Sequence, residues 1–133
     1  MGAGTMESAS STADAGEATL SESFAGFLAG LTSGDIPEAA RAVALRDLVD
    51  AAGLCIAARR QPYVQQILVG WDSEGACTAL GQRRSLDAAG AALVNGVAIH
   101  GEDFDDTLEG APIRVGAMVI PAVLAAAEHY KLS

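Results

Sequence analysis

The segment His100-Gly-Glu-Asp-Phe-Asp-Asp-Thr-Leu-Glu109 concentrates the groups in this chain that could do chemistry: an imidazole, a run of carboxylates and a hydroxyl. If helical geometry continues past Ile99, His100, Asp103, Phe104 and Thr107 share one face at i, i+3, i+4 and i+7, and Asp105 and Asp106 point away. Such a face can move a proton and hold a substrate oxygen, provided a partly buried site brings the pKa values towards neutrality. Charge runs usually lie on solvated surfaces. This one instead joins the two most apolar stretches, around residues 88–99 and 115–127, where unpaired charge helps a protein least.

Two metal readings compete for the same residues. Asp105, Asp106 and Glu109 form the DDxxE pattern by which helical terpenoid synthases bind magnesium diphosphate. Those enzymes also need a second metal motif and an aromatic-lined cavity, and only 5% of this chain is aromatic. A calcium loop starting at Asp103 would need Gly at its sixth position and Glu at its twelfth, where Leu108 and Arg114 stand. His129 reads as a surface residue near the chain end. Neither histidine has a metal-ligand partner at useful spacing, and the magnesium–diphosphate reading stays as the weakest alternative.

The elements that must position this segment are helical. Half of the 133 residues are hydrophobic and few are aromatic, so the core is built from Ala, Val, Leu and Ile at close backbone approach, which suits packed helices. Leu20, Phe24, Phe27, Leu28 and Leu31 mark an amphipathic first helix, capped by Thr19 and Glu22 and ending at Gly34. Asp35-Ile36-Pro37-Glu38 starts a second helix running to about Ala58, with Asp35 as N-cap, an apolar face of Leu45, Leu48, Val49, Ala52 and Ile56, and an Arg46–Asp50 pair on the wetter side. A short helix over 63–71, one strand at 76–80 without an evident partner, a helix over 86–99 capped by Ser85 and a helix over 117–130 complete the pattern. Pro121 suits only the first turn of that last helix.

Composition also bounds function. The length allows one core, and residues 1–18, rich in Ser, Ala and Gly, read as a disordered tail without signal-peptide character. A net charge of −9 argues against nucleic-acid binding and against an anionic membrane surface, while leaving room for a small anion held by a few well-placed cations. Apolar stretches of about a dozen residues fall short of the roughly 20 needed to span a bilayer. Cys55 and Cys77 lack metal-ligand spacing, and a reduced, cytoplasmic compartment is the expectation.

The order of features resembles the MmgE/PrpD family. It is carried by Asp35-Ile-Pro37, Asp50-Ala-Ala-Gly53, Ala79-Leu-Gly81, Ala91-Ala-Leu-Val-Asn-Gly96, His100-Gly-Glu-Asp-Phe-Asp-Asp-Thr107 and Pro121-Ala-Val-Leu-Ala-Ala-Ala-Glu128, over roughly residues 20–131. The resemblance implies a mainly α fold: the N-terminal part of the family's helical domain over 19–133, with four to five helices and at most one short strand or hairpin. It implies proton removal next to a carboxylate in small di- or tricarboxylates, followed by loss of water, loss of carbon dioxide or reprotonation, with no cofactor and no metal. Whole members are usually homodimers, are completed by later helices and a smaller α+β domain, and supply a further catalytic Lys and His from that remainder. This chain is accordingly expected to be inactive alone, or to act as a helical module that pairs with itself or with the missing remainder. The resemblance makes Asp103 and Thr107 catalytic; His100, which the helical face groups with them, and Arg114 are the expected substrate-binding residues. Arg114 stands where members usually carry a His; it cannot act as an acid or base near neutral pH but can clamp a carboxylate.

Overall fold

The computed structural model describes residues 18–132, so the expected N-terminal tail lies almost wholly outside the described residues. Five α-helices and one two-stranded hairpin make the described chain mainly α. They fall into two compact units, Met1–Ile36 and Pro37–Ser133.

The first unit holds α1 (Leu20–Gly30) and a 3₁₀ turn (Ser33–Asp35). Thr19 and Glu22 form the expected reciprocal capping box: Glu22 N–H donates to Thr19 Oγ1, and Thr19 N–H donates to the Glu22 carboxylate at 2.8 Å. The Thr19 amide and hydroxyl, both donating to it, hold the Glu22 carboxyl below its ordinary pKa. The helix stops at Gly30, because Leu31 turns to extended backbone; Gly34 is not its terminator. Asp35 likewise does not cap the second helix. Its carboxylate turns back to accept from Thr32 N–H and Oγ1, closing a separate capping box.

The second unit begins with α2 (Glu38–Ala58), whose N-cap is Pro37, followed by α3 (Pro62–Gly70). Arg46 donates to the Ala42 carbonyl instead of pairing with Asp50. The buried side of α2 is Ala51, Cys55 and Ala58, and the larger residues expected inside, Leu45, Leu48, Val49 and Ile56, are exposed. Small side chains win that face because they let α2 approach α4 (Ala88–His100) closely.

The expected lone strand has a partner. β1 (Cys77–Thr78) pairs antiparallel with β2 (Ser85–Leu86), in register Cys77 with Leu86 and Thr78 with Ser85. Ser85 is therefore a strand residue, and Asp87 caps α4 by accepting from Gly90 N–H at 2.7 Å. Two residues per strand cannot hold a hairpin alone. The buried Asn95 of α4 reinforces it: its Oδ1 accepts from Leu80 N–H at 2.8 Å and its Nδ2 donates to the Thr78 carbonyl at 2.9 Å.

The most extensive packing joins α4 to α5 (Gly116–Tyr130). Pro121 is the sixth residue of α5, deeper than its first turn. Lacking an N–H, it leaves the Ala117 carbonyl without its helical donor. That carbonyl lies against Gly96, where an added Cβ would stand 3.0 Å from it. The freed carbonyl on α5 and the missing side chain on α4 thus face one another where the two helices pack. The core closes with Val64 and Leu68 of α3, Leu86, Val94, Ala98 and Ile99.

Candidate functional site

Helix α4 carries His100 as its last residue, and the chain then leaves helical geometry. Gly101 caps the helix, its N–H donating to the Val97 carbonyl at 2.9 Å. A side chain at Gly101 would collide with the ring of Tyr63, whose hydroxyl donates to Glu102 at 2.9 Å. Burial and that acidic neighbour raise the Tyr63 pKa. Asp103 follows with φ 61°, the left-handed region that non-glycine residues enter at a cost of roughly 1–2 kcal/mol and that Asp tolerates better than most.

This turn overturns the expected shared helix face. Phe104 is 78% exposed, Thr107 is exposed without a hydrogen bond among the described residues, and Asp105, expected to point away, is the one carboxylate taken inside. Its side chain is 1% exposed and accepts from His100 Nδ1 at 3.0 Å and from Arg114 Nη1 at 2.9 Å. Arg114 Nη1 also donates to the Asp105 carbonyl at 3.0 Å, and Nη2 pairs with the exposed Asp103. The structure therefore brings His100, Asp103, Asp105 and Arg114 together and leaves Thr107 apart from that network.

The arrangement has a chemical direction. An ionised carboxylate can only accept, so the proton of a neutral His100 ring sits on Nδ1 and the Nε2 lone pair is left free. With the His100 side chain 56% exposed, Nε2 is available to a ligand. His100 and Arg114 stand at the loop end of a groove of about 660 Å³ between α4 and α5, whose apolar wall includes Gly96, Val97, Ala117 and Pro121. A bare imidazole nitrogen and a guanidinium thus border an apolar trough.

Asp106 has a different task. Its Oδ1 accepts from Gly116 N–H at 2.8 Å, an anion on the first amide of α5, where the helix dipole favours it. The DDxxE reading fails on this geometry: Asp105 faces His100 and Arg114, Asp106 faces the start of α5, and the segment from Asp105 to exposed Glu109 is not helical. His100, Asp103 and Asp105 could offer three ligand atoms within 4.8 Å of one another. The Arg114 guanidinium already sits on both carboxylates of that set, which does not fit a divalent cation.

Two roles are not found from the sequence. A helical projection turns Asp105 away from His100, although a Gly directly after the last periodic residue, here Gly101, is itself a helix stop signal. Asn95 stood only within a family motif, with no local pattern to show that its amide reaches the hairpin.

Among known proteins, the cis-aconitate decarboxylase of Aspergillus terreus is 28% identical over 127 residues, covering 93% of this chain and 25% of its own length. The cis-aconitate decarboxylase-like protein oryM of Aspergillus oryzae is 26% identical over 115 residues, covering 84% of this chain and 24% of its own. The chain thus spans about a quarter of the length of the curated relatives it matches. No solved structure matches it. Residues 22–133 match the MmgE/PrpD N-terminal domain, and with the motif residues gathered around Asp105 and Asn95, the chain belongs to the MmgE/PrpD family.

Proposed function

We propose that this chain forms one wall of the active site of a lyase or isomerase that removes a proton next to a carboxylate of a small di- or tricarboxylate, and that it turns nothing over by itself. The observation that carries the reading is the bonded string His100–Asp105–Arg114–Asp103 at the mouth of the α4–α5 groove. His100 Nε2 takes the proton, and buried Asp105 orients the ring and stabilises the imidazolium that forms. In a dehydration the electron pair of the broken C–H bond forms the double bond as hydroxide leaves and takes up a proton as water, and in an epimerisation the carbanion takes a proton back on its other face; in a decarboxylation the pair left on carbon by the departing carbon dioxide is instead protonated by the His100 imidazolium.

Arg114 holds two protein carboxylates in the described structure. A substrate carboxylate reaches its fork by displacing Asp103, whose side chain is 74% exposed and sits on strained backbone. Freed, Asp103 stands beside the reacting carbon as a second proton carrier, and the Thr107 hydroxyl takes a substrate oxygen. One guanidinium cannot balance a tricarboxylate, so the remaining cations come from outside this chain. Pairing in a homodimer, or with a chain carrying the remainder, belongs to the same proposal; the exposed Leu45, Val49 and Ile56 of α2 and Met118, Val119 and Val123 of α5 are the faces it would cover. A cytoplasmic setting is supported by the two free, buried thiols. No helix among the described residues is long and apolar enough to cross a membrane.

The test is proton NMR of the purified chain with cis-aconitate, 2-methylcitrate and iminodisuccinate. The His100 ring and Arg114 signals should move saturably with at least one of them, without product. Turnover would sink the proposal that this chain is inactive alone, and no movement with any of the three would sink the site.

A further inference from the structure

Four of the eight cationic side chains of this acidic protein lie at Arg59, Arg60, Arg83 and Arg84, in two adjacent pairs. The fold brings three of them around one cavity of about 510 Å³, lined by Arg59, Arg60, Gln65, Gly81, Gln82 and Arg83, with no carboxylate in its wall. The cavity has a built frame. Gln65 Nε2 and Gln82 Nε2 both donate to the Arg59 carbonyl, at 2.7 and 2.9 Å, and Gln65 Nε2 reaches Gln82 Oε1 at 3.3 Å. The hairpin turn comes close because Gly81, at φ 78°, has no Cβ; one would lie 3.2 Å from Arg59 Cβ. The end of α2, the first turns of α3 and the β1–β2 turn are thereby locked together.

Basic residues after a helix commonly serve the helix dipole. That accounts for Arg59, whose Nη1 donates to the Ile56 carbonyl, and partner carbonyls at Leu68 and Ser73 account for Arg84. It does not account for Arg60 and Arg83, which come from different elements, line the same cavity and make no ion pair among the described residues. Two guanidinium groups without an ion pair, on a frame that the two glutamine amides hold in place and with one Gln82 N–H still to spare, give this cavity the donors of an oxyanion receptor.

We propose that this cavity binds a compact oxyanion of two or more charges, through phosphate or carboxylate groups, at a place separate from the His100–Asp105–Arg114 site. The proposal does not rest on the proposed activity. Calorimetric titration of the whole chain with inorganic pyrophosphate and, separately, with citrate, at constant ionic strength, tests it. Saturable one-to-one binding of either probe is expected, and the tighter probe shows whether phosphate or carboxylate oxygens are read. Arg60→Gln with Arg83→Gln should weaken binding about tenfold or more. Arg46→Gln with Lys131→Gln removes the same charge elsewhere and should change it less than about twofold. Absence of saturation with both probes, or equal weakening in the two double variants, overturns the proposal. Both target arginines are exposed, and circular dichroism checks that the fold survives; Arg83→Glu, which sets a carboxylate in the wall, should abolish binding outright.

Discussion

Arg114→Ala strands a buried charge. In the native fold Nη1 lies 2.9 Å from Asp105 Oδ1 and 3.0 Å from the Asp105 carbonyl, and the Asp105 side chain is 1% exposed. The Asp103 half of the fork contributes little, because exposed pairs yield only about 0–1 kcal/mol. The Asp105 half is different: removing one partner of a buried pair costs roughly 3–5 kcal/mol. His100 stays at 3.0 Å as a second partner, and a truncated side chain admits water, so the expected loss is about 2–3 kcal/mol. For a unit the size of Pro37–Ser133, that is a fall in melting temperature of roughly 10–20 °C. Scanning calorimetry on the parent, Arg114→Ala, Asp103→Ala, Asp105→Asn and the Arg114→Ala/Asp105→Asn double variant measures it. Asp103→Ala should stay within about 1 kcal/mol of the parent. The double variant should be more stable than the two single losses summed, since Asn leaves no stranded charge. A fall below about 3 °C for Arg114→Ala, or strict additivity in the cycle, would refute the assignment of Arg114 as the counter-ion of Asp105.

Three further outcomes follow from the packing. Asn95→Ala should cost about 2–3 kcal/mol in urea denaturation, because it orphans Leu80 N–H and the Thr78 carbonyl together; a loss under about 0.5 kcal/mol would mean that these groups find other partners. Gly101→Ala should destabilise by about 1–3 kcal/mol through its collision with Tyr63, and a Gly101→Ala/Tyr63→Ala pair should recover part of that loss. Burial pushes the Cys55 thiol up to about 11 from an ordinary value near 9. Between those values the unfolded chain releases a proton that the folded chain keeps, so stability falls as pH rises through the window. The melting temperature should drop more steeply from about pH 8.5 to 10.5 in the parent than in Cys55→Ala, and parallel curves would exclude the thiol as the cause.

What the sequence made legible was the part governed by neighbours in the chain. The Thr19–Glu22 box is a three-residue rule, and the helices ending near His100 and Tyr130 announce themselves through uninterrupted apolar runs. The buried face of α2 was not legible, because hydrophobic size favours Leu45 and Val49 while close helix packing selects Ala51 and Ala58. The candidate site divided the same way. His100, Asp103 and Arg114 could be named from residue type and motif, and all three meet in the fold. That His100 and Arg114 meet on Asp105, with Asp103 on the other arm of the guanidinium, depends on a left-handed turn at Asp103 and on an arginine nine residues beyond Asp105, and no periodicity encodes either.

Asn95 has a consequence for the order in which the fold opens. Its side-chain amide presents a donor and an acceptor to the hairpin edge as the backbone of a third strand would, so α4 acts as a surrogate strand through one residue. The Leu80 amide proton is then shielded by a helix instead of by a sheet. Its exchange with solvent deuterium should follow the opening of α4, and not the fraying of the two-residue strands beside it. The hairpin and α4 would therefore behave as one cooperative unit, with the slowest-exchanging amide of the hairpin keeping time with the helix core.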